Sequence, residues 1–383
     1  MSHAPTPALS ARHVQIRQAI AAHSLDALVV TSLPNALYLT NFTGSSAIVV
    51  LTAGQIFFIT DFRYVTAISE MRGMPYECPG LDLVVVDSSY DATLAGLLAS
   101  LPVRRVGFEA QNLTVARHEW LARMLPRGET SGPELVATKG IVERARAIKD
   151  DYEVVTLREA ARRLSIVARD LPQEVRAGRS ERDIAMAIDA RVREAGFARP
   201  AFETIVAAGP NAALPHARPG ERRLVEGDLV VLDFGGVYDS YCVDLTRTVS
   251  VGRAGTRVRA VYEAVLEAHD RAIDSVRDGA SRFAIDGAAR ETLGRQGLAD
   301  AFGHGTGHGL GIEVHEAPHI TRKRTVDDAD DVTGEAVATG MVFTIEPGAY
   351  IRGWGGVRIE DDVLVTPRGV EVLTDATTGL IEI

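Results

Sequence analysis

The sequence predicts an α+β protein of two domains, a smaller α/β domain at residues 1–138 and a larger α+β domain at residues 139–383. The length of 383 residues exceeds the usual size of one domain. Short apolar runs alternate with helical patterns in the first third of the chain, whereas longer helical patterns and then β-rich segments fill the rest. A stretch around residues 127–140 contains glycine and proline and separates the two textures.

The first domain shows the alternation of an α/β fold. Apolar positions at helical spacing predict a helix over 11–22, and a second helical pattern lies near 92–100. Strand-like apolar runs occur at 27–31, 47–51, 56–60, 82–87 and 104–108. Thr52-Ala53-Gly54-Gln55 predicts a hairpin between two of these runs, and Pro34-Asn35 predicts a turn after the first.

The second domain begins with helical patterns from about 141 to 196, with charged faces and few breakers. After Pro200 the pattern becomes β-rich, with one further long helix near 256–276. Residues 321–331 form a charged run, which predicts an exposed loop.

Composition excludes several classes of function. The formal charge of −10 argues against binding to nucleic acid or to an anionic membrane. Two cysteines, Cys78 and Cys242, are too few for a disulfide framework or a cysteine zinc site, and they suit a reducing cytosol. The N-terminus lacks an apolar signal region, and no apolar run reaches about 18 residues. We therefore expect a soluble cytoplasmic protein.

Two aspartates occupy a predicted β-hairpin over 227–249, whose apolar arms flank a polar tip near Tyr238-Asp239. Folding about that tip sets Asp233 opposite Asp244, with Cβ atoms about 5 Å apart. Carboxylates so placed repel each other, and Asp233 interrupts a run that otherwise has the pattern of a buried strand. Because a buried charge needs a partner, a cation between the two aspartates would resolve both problems.

A second predicted hairpin repeats this arrangement with glutamates. Glu346 ends one apolar strand, Glu360 lies inside another, and Arg352-Gly353-Trp354-Gly355 supplies the turn between them. One such hairpin could be accidental, whereas two in one chain point to a functional site.

Glycines and histidines are concentrated between the hairpins, at residues 302–316. Three of the ten histidines fall within twelve residues here: His304, His308 and His315. Glycine lets a backbone approach a site closely, and clustered histidines favour a site over ordinary surface positions. His216, upstream of the first hairpin, would on its own suggest only a loop residue.

Charge balance indicates the cofactor. The available groups are four carboxylates and one neutral imidazole, from Asp233, Asp244, Glu346, Glu360 and His308. Two divalent cations neutralise this set, whereas clustered carboxylates without metal would have to protonate. Oxygen-rich ligation with one imidazole suits Mn²⁺ or Co²⁺, leaves Zn²⁺ open and disfavours a cysteine-type zinc site. Two metal ions close together can hold a bridging hydroxide and polarise a carbonyl, as amide hydrolysis requires.

The order of these residues resembles that of the pita-bread metallopeptidases, which include methionine aminopeptidases, Xaa-Pro aminopeptidases and prolidases. The proline-specific branch is matched closely by the segments Leu-Asp-Phe-Gly, Asp-Leu-Thr-Arg-Thr, Gly-Thr-Gly-His-Gly-Leu-Gly-Ile-Glu-Val-His-Glu, Thr-Ile-Glu-Pro-Gly and Gly-Val-Arg-Ile-Glu-Asp. The resemblance covers the chain from about residue 140 to the end, and extends more weakly to residues 38–44 and 60–64. It implies a pita-bread catalytic domain after a creatinase-type α/β domain, and cleavage of the peptide bond before proline.

The resemblance also implies the roles of the metal ligands. Asp244 and Glu360 look like the residues that bridge the two ions. Asp233 would complete the ligands of one ion, and His308 with Glu346 those of the other. Glu346 is also the expected base for the bridging water.

Further roles implied by the resemblance concern the substrate. His216 and His315 resemble the pair that binds the scissile peptide and stabilises the oxyanion. His304 resembles a pocket histidine near the proline ring that could also shuttle a proton. Arg358 and Tyr350 match residues that line the same site.

Substrate length stays open at this stage. Arg358, or Arg63 reaching the site from a dimer mate, could bind a free proline carboxylate, which favours Xaa-Pro dipeptides. His319 stands where some prolidases of this branch carry an arginine for that carboxylate, which favours an Xaa-Pro aminopeptidase acting on longer peptides. A homodimer is the expectation for the family.

Other members of the fold family fit less well. Methionine aminopeptidase would not need the residues before the catalytic domain, and creatinase works without metal and lacks an intact ligand set. A catalytically inactive pita-bread module would act as a binding protein and typically loses ligands. All five ligands are present here, so we expect an enzyme that acts on small peptides.

Overall fold

The computed structural model describes residues 3–125, 132–323 and 332–383. Two compact units divide the chain between Arg146 and Ala147. The boundary suggested at 138/139 precedes this division by one short helix and stays a prediction as a domain limit. Most of the charged stretch predicted to be an exposed loop, residues 324–331, lies outside the described residues.

The first unit alternates helices and strands. Its elements are α1 (Thr6–Ala22), β1 (Ala27–Val30), α2 (Leu33–Thr40), β2 (Ile48–Thr52), β3 (Ile56–Thr60), α3 (Phe62–Glu70), β4 (Leu81–Val85), α4 (Tyr90–Ser100), β5 (Arg105–Glu109), α5 (Val115–Met124), β6 (Glu134–Thr138) and α6 (Ile141–Ala147). The strands form one sheet in the order β4-β3-β2-β1-β5-β6. Only β2 runs antiparallel to its neighbours among these strands. Parallel strands covered on both faces have continuous apolar sequences, which explains why the runs were recognisable.

One turn predicted in this unit is wrong. Pro34-Asn35 lies in the first turn of α2. Proline is tolerated there because the first N–H groups of a helix have no intrahelical acceptor. Asn35 is buried, and its Nδ2 donates to Glu109 at 2.6 Å and to Glu143 at 2.7 Å.

The second unit contains two larger sheets and two pairs of long helices. Its elements are α7 (Asp151–Asp170), α8 (Glu181–Glu194), β7 (Arg199–Pro200), β8 (Ile205–Ala208), β9 (Leu229–Tyr238), β10 (Tyr241–Ser250), α9 (Thr256–Asp274), α10 (Arg282–Arg295), β11 (Gly307–Gly309), β12 (Glu316–Ile320), β13 (Val342–Ile345), β14 (Gly348–Ile351), β15 (Gly355–Arg358), β16 (Asp361–Thr366), β17 (Gly369–Val372) and β18 (Ile381–Glu382). One sheet has the order β18-β10-β9-β7, with β8 also paired to β9, and the other has the order β12-β11-β13-β16-β17.

Each pair of helices packs on one sheet and so determines which strand face is polar. Leu164 of α7 and Ile188 of α8 share a core with Val243 and Leu245 of β10. Because side chains alternate along a strand, Asp244, between these two residues, faces the other side. The helices α9 and α10 form a second core with β13 and β15. The polar groups of the site therefore project away from the helix-covered face of the first sheet.

Candidate metal centre

The two aspartates lie on one face of the β9–β10 hairpin. Asp233 pairs with Thr246, and Asp244 pairs with Gly235. The prediction that the aspartates lie directly opposite each other is therefore wrong by two residues of register. The turn residues are Asp239-Ser240, with φ of 46° and 73°, and such two-residue turns place the tip later than expected. A shift of two residues keeps both carboxylates on one face, so the convergence survives.

The two glutamates lie in a second hairpin, each at a short break between consecutive strands: Glu346 between β13 and β14, and Glu360 between β15 and β16. The β13–β16 and β14–β15 pairs share one continuous register, and it sets Glu346 opposite Glu360. This part of the prediction agrees with the structure, including the turn at residues 352–354. Glu360 nevertheless lies between β15 and β16 and not inside a strand.

The breaks free the backbone of both glutamates to bind other segments. The N–H of Glu346 donates to the carbonyl of Thr306 at 2.7 Å, and the N–H of Glu360 donates to that of Thr246 at 3.1 Å. The hydroxyl of Thr246 also donates to Glu360 Oε2 at 2.5 Å. Each glutamate is thus tied to the segment that carries another residue of the cluster.

The carboxylates converge on His308. Ligand atoms of Asp244, His308 and Glu360 all lie within 4.8 Å of one another. His308 Nε2 lies 4.0 Å from Asp244 Oδ2 and 3.7 Å from Glu346 Oε1. The Oδ1 atoms of Asp233 and Asp244 are buried and have no hydrogen-bond donor within the described part of the chain. Buried oxygens without donors beside a neutral imidazole fit a site for divalent cations.

Electrostatics support the same conclusion. Burial, together with the charges of Glu360 and Asp233, raises the pKa of Asp244 well above its ordinary value. Burial and Glu360 do the same to the pKa of Glu346, and burial followed by Asp233 raises the pKa of Glu360 to about 8. Burial, then the neighbouring His315, lowers the pKa of His308 to about 3, so its imidazole is neutral at ordinary pH. Cations would remove the repulsion between these carboxylates.

Arg358 connects Asp233 to the aromatic side of the site. Its Nη2 donates to Asp233 Oδ2, its Nε to Thr246 Oγ1 at 3.1 Å, and its Nη1 to the Tyr350 hydroxyl at 2.8 Å. The same Nη1 lies 3.3 Å from the carbonyl of Pro215. Tyr350 in turn contacts His304 Nε2 at 2.9 Å. Burial lowers the pKa of His304 to about 4 and raises that of Tyr350 to about 12, so both side chains are neutral.

The remaining histidines lie on the open side of the cluster. The rings of His308 and His315 are 4.2 Å apart between centroids. His319 pairs with His308 across β11 and β12. His216 lies in an exposed loop, and its charge contributes to lowering the pKa of His315, after burial and His319. His216, His315 and His319 therefore form an exposed group of histidines next to His308.

Arg63 has a different setting. It lies in the first unit at the start of α3, where it is exposed and forms a two-point ion pair with Asp61, at 2.8 and 2.7 Å. Its suggested contact with substrate stays a prediction, in competition with this ion pair.

Sequence reasoning missed the buried residues that support the centre. Arg247 donates to the carbonyls of Thr246 and Glu360, at 2.9 and 2.5 Å, and forms an ion pair with Asp361 at 2.8 Å. Asp362 accepts the N–H of Asp244 at 3.1 Å. The available signals were the acidic residues after Glu360 and the arginine inside the Asp-Leu-Thr-Arg-Thr segment.

Comparison with known proteins identifies the family. Residues 155–367 match metallopeptidase family M24, and residues 12–148 match the creatinase/prolidase N-terminal domain. The chain belongs to metallopeptidase family M24. The predicted fold, a creatinase-type domain followed by a pita-bread domain, is confirmed, as is the prediction of a metal-dependent hydrolase.

Similar proteins cover nearly the whole chain. An uncharacterised peptidase of Bacillus subtilis (strain 168) is 33% identical over 357 residues, or 93% of this chain and 96% of that protein. The Xaa-Pro dipeptidase from Bacillus anthracis superposes with a TM-score of 0.89 at 32% identity, covering 98% of this chain and 100% of that one. The X-Pro aminopeptidase from Thermotoga maritima MSB8 gives 0.82 at 29% identity, covering 94% and 98%.

Proposed function

We propose that this M24 peptidase hydrolyses the peptide bond before proline, with Xaa-Pro dipeptides as preferred substrates and two divalent metal ions as cofactors. The observation that carries the proposal is the buried convergence of Asp244, His308 and Glu360, with Glu346 beside His308. Specificity for proline is supported by the Xaa-Pro dipeptidase and aminopeptidase names of similar proteins.

The ligand set we propose is the one that the family resemblance implies, and the convergence of Asp244, His308 and Glu360 supports it. Asp244 and Glu360 would serve both ions, Asp233 would complete one set, and His308 with Glu346 would complete the other. Oxygen-rich ligation favours Mn²⁺ or Co²⁺, with Zn²⁺ as the alternative. When bound, such ions act as Lewis acids towards the scissile carbonyl and lower the pKa of water.

Glu346 is the proposed base. Its carboxylate lies 3.7 Å from His308 and can accept a proton, as a general base must. It would take a proton from the attacking water as the water oxygen bonds to the carbonyl carbon. It would then give that proton to the proline nitrogen as the C–N bond breaks. Its side chain is 17% exposed, so it can meet a substrate.

The histidines would bind the peptide around the reacting carbonyl. A neutral imidazole donates one N–H, and His315 and His216 lie on the open side, where they could donate to the developing oxyanion. His304 and Tyr350 form a ring-lined wall with Phe302, whose ring centroid is 5.0 Å from that of His304. An apolar wall of this kind suits the pyrrolidine ring of proline.

A second candidate is an Xaa-Pro aminopeptidase that accepts longer peptides. The guanidinium of Arg358 already donates to Asp233, Thr246 and Tyr350, which favours a supporting role over binding of a free carboxylate. His319, at a position where some prolidases carry an arginine, favours the same alternative.

Substrate length can be tested with three matched compounds: an Xaa-Pro dipeptide, its C-terminal amide and an Xaa-Pro-Yaa tripeptide. The protein is first stripped with a chelator and then reloaded with Mn²⁺ or Co²⁺. We expect the stripped protein to be inactive. We expect kcat/KM for the dipeptide to exceed that for the other two by at least about 10-fold, because only the dipeptide presents a free proline carboxylate for a charge-assisted contact with Arg358 or Arg63. Equal or faster cleavage of the tripeptide would establish the aminopeptidase. Full activity after stripping would overturn the metal mechanism.

We also propose a cytoplasmic homodimer. Both cysteines are buried free thiols, as a reducing compartment allows. In the described ranges 3–125, 132–323 and 332–383, no helix combines the length and apolar character needed to cross a bilayer. Light scattering of the purified protein would measure the assembly state, and a monomeric mass at micromolar concentration would contradict the dimer.

A further inference from the structure

Helix α10 carries a buried ion pair that the proposed mechanism does not use. Arg290 and Asp286 lie one turn apart, with Nε to Oδ2 at 2.6 Å and Nη2 to Oδ1 at 3.0 Å. Their side chains are 16% and 2% exposed. Isolated ion pairs on a helix surface contribute little, so a pair buried in this way needs another explanation.

Both members of the pair bind the backbone of the glycine-rich segment. Asp286 Oδ1 accepts the N–H of Thr306 at 3.1 Å and its hydroxyl at 2.9 Å. Arg290 Nη1 donates to the carbonyl of Phe302 at 3.1 Å, and Nη2 donates to the carbonyl of His304. The guanidinium also lies 4.3 Å from the centroid of the Phe302 ring. The pair therefore holds residues 302–306 at three successive alternate positions.

This segment leads directly to the reacting groups. The carbonyl of Thr306 accepts the N–H of Glu346 at 2.7 Å. His304 reaches the Tyr350 hydroxyl at 2.9 Å. A displacement of the segment would thus move both the proposed base and the ring-lined wall.

We infer that Asp286 and Arg290 are positioning residues that hold the segment 302–306 and, through Thr306, the backbone of Glu346. The inference rests on the proposed function in one respect, namely that Glu346 is the base. The guanidinium is required because a planar fork can serve the carboxylate and two carbonyls together, whereas an ammonium cannot hold that geometry.

Kinetics of Arg290→Met and Arg290→Lys test the positioning role. The control is Arg295→Met on the same helix, because Arg295 is 67% exposed and its ion pair with Glu291 is long, at 3.9 Å. We expect Arg290→Met to lower kcat about 10²-fold with metal stoichiometry and KM near parental values, since small misplacements of reacting groups have effects of this size. Arg290→Lys should recover part of the loss, and Arg295→Met should stay within about 2-fold of the parent.

Hydrogen exchange separates this inference from the proposed function. In metal-free protein, the amides of Thr306 and Glu346 should exchange at least about 10-fold faster in Arg290→Met than in Arg295→Met, whatever the substrate is. If the parent fails to cleave Xaa-Pro compounds but this difference appears, the proposed function is wrong, whereas the positioning role of Asp286 and Arg290 is supported. Parental exchange and parental kcat in a folded Arg290→Met protein would overturn the inference.

Thr306→Val provides the second variant if Arg290→Met does not fold. It removes the hydroxyl bond to Asp286 while keeping the side-chain volume. We expect a decrease in kcat of about 2- to 10-fold, the equivalent of one hydrogen bond. An unchanged kcat together with unchanged exchange of the Glu346 amide would contradict the positioning role of Asp286 and Arg290.

Discussion

At the scale of residues, Asp244 is the carboxylate whose charge most needs a bound cation. Its Oδ2 lies 4.0 Å from His308, and its buried Oδ1 has no donor in the described part of the chain. Burial raises its pKa most, and the charges of four neighbouring carboxylates raise it further. A residue with both oxygens available and no compensating cation side chain is the natural one to serve two ions.

We therefore predict that Asp244→Asn and Glu360→Gln each lose both metal ions. Asp233→Asn should chiefly weaken one, because one oxygen of Asp233 already accepts from Arg358. Elemental analysis after gel filtration measures the stoichiometry, with Asp239→Asn at the hairpin tip as control. Two tightly held ions in Asp244→Asn would contradict the bridging role.

The exposed histidines should behave differently from the ligands. We predict that His315→Ala and His216→Ala keep parental metal content while kcat falls about 10²–10³-fold, the usual effect of losing an oxyanion donor. Steady-state kinetics and metal analysis on the same samples make the comparison, with His23→Ala in the first unit as control. A variant that lost its metal, or that kept parental kcat, would show that its role is misassigned.

At the scale of elements, strand β11 can approach β13 closely because Gly307 has no side chain. A Cβ built at Gly307 would lie 1.8 Å from the carbonyl oxygen of Thr344. The next residue, His308, uses its own N–H to bind the Thr344 hydroxyl at 3.1 Å. A side chain at Gly307 would therefore push β11, which carries His308, away from β13.

We predict that Gly307→Ala lowers the unfolding free energy by about 1–3 kcal/mol, the usual cost of overpacking. It should also weaken binding of the ion that His308 serves. Gly303→Ala in the same segment is the matched control, since nothing lies within 4 Å of a Cβ there. Denaturant unfolding and metal titration measure the two effects. Equal behaviour of the two variants would contradict this account of β11.

Hairpins also show what could be predicted from the sequence. Acidic residues within or at the ends of apolar runs indicated all four carboxylates, and the turn at 352–354 set Glu346 opposite Glu360 correctly. The tip of β9–β10 was misplaced because Asp239 and Ser240 adopt positive φ, which their residue types permit but do not require. Helix α10 was missed altogether, and with it the contacts of Asp286 and Arg290. Such contacts depend on tertiary packing and leave no periodic pattern.

At the scale of the whole molecule, the centre should couple metal, protons and stability. Burial and Asp233 raise the pKa of Glu360 from 4.5 to about 8 in the metal-free fold, and the pKa values of Asp244 and Glu346 shift in the same direction. A folded state that holds protons more tightly than the unfolded chain loses stability as pH rises from about 4.5 to about 8. Bound cations neutralise the same carboxylates and cancel this loss.

We predict that the melting temperature of chelated protein falls as pH rises from about 4.5 to about 8, whereas that of reloaded protein changes much less. The difference in melting temperature between reloaded and chelated protein should therefore increase as pH rises. Thermal unfolding of both forms at several pH values measures it. A gap that is constant, or that narrows as pH rises, would contradict the linkage.

The hydrogen bonds around the centre also join very distant parts of the chain. Thr246 binds Glu360 across 114 residues, and Asp233 binds Arg358 across 125. Contacts of such separation form late in folding, because the closure of the long loop must precede them. During synthesis, Asp233 and Asp244 are made long before the arginine and the glutamate that complete their surroundings. The protein should thus bind metal only after Arg358 and Glu360 have been synthesised. A nascent peptide that ends before Glu360 should contain no bound metal.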